Sequence, residues 1–163
     1  MIYLDYDGVI VDTENGLFDD YYRIIEYRKD FTKEQYIKEL DWRSWLRKCG
    51  PKKNSFEFLK MHSSKYVSIL TTCWSINEAR EKIIYLRENG LDNNIIICPG
   101  HVLKSEVVCP KLGLTRHLLV DDHIENVVDW EQSGGQAFIF EKGPYKGYKT
   151  VYSLEEAFDF YYC

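Results

Sequence analysis

Short apolar runs alternate along this chain with longer stretches of helical spacing. Ile2 to Leu4, Tyr66 to Thr71, Ile95 to Cys98, His117 to Val120 and Ala137 to Phe140 read as strands, being brief, apolar and rich in strand formers. Between the first two, Leu17, Tyr21, Ile24, Ile25 and Arg28 share a helical spacing that predicts a helix over 16–28. Thr32 with Gln35 forms a capping box that opens a second helix, running to Leu40. Asp41 to Leu46 reads as a third, ending before Gly50-Pro51, and Ser55 to His62 as a fourth. Further on, Ser75 and Glu78 form another capping box, and Ile76, Ala79, Ile83 and Leu86 make an apolar stripe that Gly90 stops. Residues 102–113 are ambiguous, with room for a short helix. Ile124 to Trp130 predicts a helix closed by Gly134-Gly135. Ser153 and Glu156 cap a last one after a Gly/Pro-rich loop at 143–147.

Strands that alternate with helices predict an α/β fold: a five-stranded parallel sheet in three layers. The strand beginning at Ile2 should lie in the middle, beside the strand ending at Val120. Residues 16–62, charged and aromatic, interrupt the alternation as a small helical cap, with 1–15 and 63–163 forming the core. Ligands of such sheets bind beyond the carboxyl ends of the strands. Asp5, Thr71, Lys104 and Asp121-Asp122 all fall at or beyond such ends, so they should meet at one edge.

Those residues carry chemistry. Side chains two apart on an extended chain point the same way, so Asp5 and Asp7 converge, and Gly8 allows a sharp turn beside them. Like charges that close invite a cation or a shared proton. Asp121-Asp122, adjacent carboxylates at a buried strand end, carry the same repulsion, and Mg²⁺ relieves it because it takes oxygen ligands. Thr71, ending a strand, presents a hydroxyl donor at that edge, with Thr72 its neighbouring competitor. Lys104 and Lys111 are the lysines available between the third and fourth strands. His62, His101, His117 and His123 match no metal-binding spacing, although His123 adjoins the acids.

Composition narrows the function classes. The chain has 163 residues, 45% of them hydrophobic, enough for one domain with a modest insertion. Its net charge of −5 argues against a nucleic-acid polymer as partner but not against a small anionic substrate. The five cysteines form no C-x-x-C pair, so reduced thiols in a cytoplasmic protein are expected, with neither a disulfide framework nor a zinc site. Asp5 and Asp7 interrupt the first apolar stretch, so no signal peptide is expected, and no run approaches the roughly 18 apolar residues of a membrane span.

Asp5-Tyr6-Asp7-Gly8-Val9-Ile10 resembles the first motif of the haloacid dehalogenase (HAD) superfamily, D-x-D-G-[TV]-[LIV]. Ser68 to Thr72 is similar to the second motif, an apolar strand ending in Thr or Ser, and Leu118 to Asp122 to the fourth, an apolar strand followed by paired acids. The resemblance implies a Mg²⁺-dependent phosphomonoester hydrolase with a Rossmann-like core. Asp5 would be the nucleophile and Asp7 the general acid and base. Thr71 and Lys104 would hold the phosphoryl oxygens, since Lys104 begins the helix where the family carries its lysine. Asp5, the backbone carbonyl of Asp7 and an Asp121/Asp122 carboxylate would bind the metal, with Asp122 more like the direct ligand. The short cap and Leu119-Val120-Asp121-Asp122-His123-Ile124-Glu125-Asn126 resemble the cytosolic type of 5′(3′)-deoxyribonucleotidase, which implies a (deoxy)nucleoside monophosphate as substrate. A phosphatase of another small metabolite, such as a sugar phosphate, and a non-catalytic metal-binding relative are the rival expectations.

Overall fold

The computed structural model describes residues 1–62, 64–108 and 113–162. Its strands β1 (Ile2–Leu4), β2 (Val67–Cys73), β3 (Ile95–Pro99), β4 (Leu118–Asp121), β5 (Gln136–Phe140) and β6 (Lys149–Val151) make one sheet, ordered β3-β2-β1-β4-β5-β6. Every pairing is parallel. β1 pairs with β4, with Leu4 opposite Val120, so the first strand is central as expected. The strand order reverses between β1 and β4, and in open sheets such a switch point is where a ligand crevice forms.

The period of two along each strand sorts the core into two faces. Ile2, Leu4, Ile69, Leu118, Val120 and Phe138 belong to one apolar cluster. Tyr3, Leu70, Leu119, Ala137 and Ile139 belong to the other. The second face is covered by α6 (Lys104–Val108) and α7 (Ile124–Gln132), through Val107, Val127 and Trp130. The first is covered by α5 (Ile76–Glu88) and α8 (Leu154–Tyr162), through Leu86, Leu154 and Ala157. The helices of the insertion are α1 (Asp19–Ile24), α2 (Lys33–Glu39), α3 (Trp42–Cys49) and α4 (Ser55–Met61). With the α1–α2 connection, which supplies Phe31, they add Tyr36, Trp42, Trp45, Leu46 and Phe58 to the same cluster as the first face. This is the expected three-layer α/β arrangement. No described helix is long and apolar enough to cross a membrane.

Several local expectations need correcting. The sheet has six strands, not five. β6 is three residues long behind the Gly/Pro-rich loop and carries too little pattern to announce itself, although Thr150 and Val151 are strand formers. The helix expected over 16–28 shrinks to α1: Gly16, at φ +77°, turns the chain ahead of it, and residues 25–27 continue only as a turn. The stripe read on α5 holds at Leu86, half-holds at Ala79 and Ile83, and fails at Ile76. Ile76 is 89% exposed, while Glu78, Glu81 and Lys82 are buried with Leu86. The capping boxes fare differently. At Thr32 both reciprocal bonds form. At Ser75 the hydroxyl accepts from Glu78 N, but the Glu78 carboxylate accepts from Trp74 N instead.

Candidate active site

β1 and β4 end side by side, and their carboxylates converge. Asp5 N donates to Val120 O at 2.9 Å, which fixes the end of β1 against β4. The chain then turns tightly, with Ile10 N and Val11 N both donating to Tyr6 O. Gly8 serves that turn in two ways. Its φ is +71°, and a Cβ there would lie 2.1 Å from Asp122 Oδ2. The close approach of the first loop to Asp122 therefore requires glycine.

Asp5 is buried, and its Oδ1 accepts from Tyr6 N at 2.7 Å and lies 2.8 Å from Lys104 Nζ. Among the described residues none bonds its Oδ2. Burial pushes the Asp5 carboxyl up to about 8 against the pull of Lys104, with Asp121 and Asp7 adding repulsion. Asp121 is saturated with donors: Lys104 Nζ at 2.7 Å, His123 N at 2.9 Å and Asn126 Nδ2 at 3.0 and 3.1 Å. Lys104 thus bridges Asp5 and Asp121 from the start of α6, as the strand-end rule anticipates. Lys111, the other lysine weighed, lies outside the described residues.

Asp122 differs from Asp121. It is 3% exposed, yet neither carboxylate oxygen has a hydrogen-bond partner among the described residues. Lys142 Nζ lies 2.7 Å from its Oδ2 as an ion pair that lacks hydrogen-bond geometry. Burial pushes its carboxyl up to about 6. Oxygens of Asp5, Asp121 and Asp122 come within 4.8 Å of one another. Three buried carboxylates that close, with the Oδ1 of Asp122 reached by no close donor among the described residues, fit a hard divalent cation such as Mg²⁺.

Asp7 is held differently. Thr13 Oγ1 donates to its Oδ1 at 2.7 Å, and Lys82 Nζ reaches its Oδ2 at 2.5 Å. Lys82 is fully buried between Asp7 and Glu78, at 2.8 Å from the latter, with the Tyr6 and Trp42 rings each about 5 Å away. Thr71 is fully buried too, its hydroxyl 3.2 Å from Lys82 Nζ and 3.4 Å from Asp7 Oδ2. Thr72, its neighbour, lines the open cleft. At the opposite wall Glu14 accepts from His123 at 2.7 Å and from Lys142 at 2.6 Å. The His123 bond is the largest cause holding Glu14 down at about 2 and raising His123 to about 9. The cleft holds about 510 Å³, bounded by Asp5, Asp7 and Lys104 at its base and by Phe18, Trp42 and Trp74 higher up.

Sequence reasoning brought Asp5, Asp7, Lys104, Asp121 and Asp122 to this place. It missed Thr13, Glu14, Lys82 and Lys142. Of these only Lys82 left a trace, four residues after Glu78 on a helix, and that spacing equally describes a surface ion pair.

No family model and no curated protein matches the chain. Solved structures do. A HAD-superfamily hydrolase of subfamily IA from Geobacter sulfurreducens is 15% identical over 98% of this chain and 95% of its own, with a TM-score of 0.65. The HAD-hydrolase YfnB from Bacillus subtilis, described as bound to magnesium, is 13% identical over 99% of this chain and 98% of its own, with a TM-score of 0.62. D,D-heptose 1,7-bisphosphate phosphatase from Burkholderia thailandensis is 10% identical over 99% and 98%, with a TM-score of 0.59. The likeness is one of fold, and the fold of this chain is that of the haloacid dehalogenase (HAD) superfamily hydrolases.

Proposed function

We propose that this chain is a Mg²⁺-dependent phosphomonoester hydrolase acting through an aspartyl-phosphate on Asp5, with (deoxy)nucleoside monophosphates as its substrates. The observation that carries the reading is the convergence of Asp5, Asp7, Lys104 and Asp122 at the β1/β4 switch point. Asp5 presents Oδ2 to phosphorus while Tyr6 N and Lys104 hold Oδ1. The new O–P bond forms as the ester oxygen leaves, and Asp7 supplies that oxygen's proton. Asp7 then takes a proton from the water that cleaves the acyl phosphate, and Asp5 is regenerated. Thr13 and Lys82 keep the Asp7 side chain oriented for both transfers. Lys104 neutralises charge on Asp5 and on the phosphoryl oxygens. Asp5, the Asp7 carbonyl and Asp122 would hold Mg²⁺, which neutralises the phosphoryl charge when bound. Asp121, already saturated by Lys104, His123 and Asn126, serves better as the anchor of Lys104 than as a metal ligand. Thr71 belongs to the Asp7 support, and Thr72 is the better placed of the two to meet phosphate.

Residues 16–62 are the cap in this reading, with Phe18 and Trp42 lining the cleft beside the catalytic aspartates. The free thiols of Cys49, Cys73 and Cys98 suit a reducing cytoplasm. A panel of phosphomonoesters assayed with Mg²⁺ tests the reading, and it should include a sugar phosphate because the heptose bisphosphate phosphatase shares the fold. Deoxynucleoside monophosphates are expected to turn over fastest. Faster turnover of sugar phosphates removes the nucleotide preference, and no turnover of any ester removes the hydrolase.

The metal site has its own test, independent of turnover. A ligand that binds only the folded state stabilises it by about 2.7 kcal/mol at a hundredfold excess over Kd. For a chain of this size that is a rise in Tm of roughly 5–10 °C. Mg²⁺ should produce it in the wild type and not in an Asp5→Ala, Asp122→Ala double variant. A flat Mg²⁺ titration of the wild type counts against the site.

A further inference from the structure

Trp74 is the odd member of the tryptophans. Trp42, Trp45 and Trp130 are 2%, 8% and 0% exposed, whereas Trp74 is 38% exposed. It follows β2 directly, at the carboxyl edge of the sheet, and lines the same cleft as Asp5 and Asp7. Leaving an indole open to water forgoes the burial that such a side chain normally gains.

The ring is nevertheless held. Gly100, at the turn after β3, lies against its inner face. A Cβ at Gly100 would come 2.4 Å from Trp74 Cδ2, 2.5 Å from Cε3 and 2.7 Å from Cε2, so no other residue fits beneath the indole. Gly100 N donates to Cys73 O at 3.0 Å and ties the two loops together. Trp74 N donates to Glu78 Oε2 at 2.8 Å, and Glu78 is itself anchored on Lys82. The result is a flat aromatic face, backed by main chain and fixed to the support of Asp7, with its open side in the cleft.

The other groups around this wall limit what it receives. Glu14, Glu78 and Glu125 line the cleft, with Lys104 its only lysine among the described residues and two imidazoles, His101 and His123, the latter already bonded to Glu14 at 2.7 Å. Lys104 is committed to the carboxylates at the base. A leaving group with further anionic charge finds little to neutralise it here, whereas a flat ring without negative charge finds a stacking surface.

We propose that Trp74, laid on Gly100, is the surface on which the leaving group's aromatic ring stacks, so that the cleft selects phosphate esters of alcohols bearing an uncharged flat ring, the nucleosides among them. This rests on the phosphatase reading above and adds to it the residue that selects the substrate. Base-on-aromatic stacking is sequence-tolerant, because every base has a π-face. The site would therefore discriminate ring from no ring more sharply than one base from another.

The test uses the full chain with Mg²⁺ and two substrates, a deoxynucleoside 5′-monophosphate and ring-free glycerol phosphate. Trp74→Ala should lower kcat/KM for the nucleotide at least tenfold more than for glycerol phosphate, chiefly through KM, and Trp74→Phe should restore most of the difference. Gly100→Ala, which lifts the indole, should move selectivity in the same direction as Trp74→Ala. In the Asp5→Asn background, a deoxynucleoside monophosphate should quench tryptophan fluorescence, and Trp74→Phe should remove that quenching. Equal losses on both esters, or quenching that survives Trp74→Phe, overturns the proposal while leaving the phosphatase intact. If the wild type hydrolyses neither ester, the phosphatase reading fails, and the fluorescence measurement alone decides whether Trp74 binds the ring.

Discussion

Asp5→Asn is expected to reduce turnover of every phosphomonoester by roughly a thousandfold or more, with the fold unchanged by circular dichroism. The size follows from the role. A nucleophile removed from a covalent mechanism leaves only the contribution of binding and electrostatics, and in a well-studied hydrolase that loss is about 10⁶. Asparagine keeps an oxygen to accept from Tyr6 N, and although it gives up the Asp5–Lys104 ion pair it also ends the repulsion with Asp121, on which Lys104 stays paired at 2.7 Å. The metal-free variant should therefore melt no lower than the wild type, and its Mg²⁺ increment should shrink. Activity within tenfold of wild type would remove the aspartyl-phosphate. A sharp loss of Tm would instead show that Asp5 holds the β1 turn together.

Lys82→Met should be the most damaging single change to stability. Lys82 is fully buried against two carboxylates, Asp7 and Glu78, and its removal strands both. Breaking a buried ion pair from one side costs about 3–5 kcal/mol. In a domain of this size each kcal/mol moves Tm by about 2–4 °C, so a fall on the order of 10 °C is expected. Adding Glu78→Gln should recover part of it by removing one stranded charge. Lys82 does not line the cleft, so in the folded fraction kcat should fall while KM for a small ester changes little. A Tm shift of less than about 2 °C would mean that the Asp7–Lys82–Glu78 chain contributes nothing to the fold.

The parts of this site that could be read in advance are those set by local chemistry. Asp5-x-Asp7-Gly8 and Asp121-Asp122 sit at strand ends, and a parallel sheet brings its strand ends to one edge. Lys104 follows by the same rule. Lys82 could not be read that way. The apolar spacing of α5 pointed to Ile76, which is 89% exposed, and the Glu78–Lys82 spacing matches any solvated helix pair. Only the approach of α5 to the β1 loop makes that pair internal. Thr71 and Thr72 show a related limit. Neighbours on a strand face opposite ways, and which faces the cleft depends on the strand's setting in the sheet. β6 was missed because Lys149-Thr150-Val151 offers a single buried apolar residue, whereas β1, equally short, is apolar and buried throughout.

The single apolar cluster that joins α1–α4 to one face of the sheet also bears on how the molecule comes apart. Phe31, Trp42, Leu46 and Phe58 have no separate core to retreat into, because they share one continuous apolar cluster with Ile2, Leu4 and Ile69. Heating should therefore give one calorimetric transition, with the insertion and the sheet melting together. Residues 16–62 cut out as a peptide would keep their apolar side chains without the surface that covers them, and so would not hold a fold. The insertion is thus no transferable module: grafting it onto another sheet would require carrying over the β1 and β2 face that completes it.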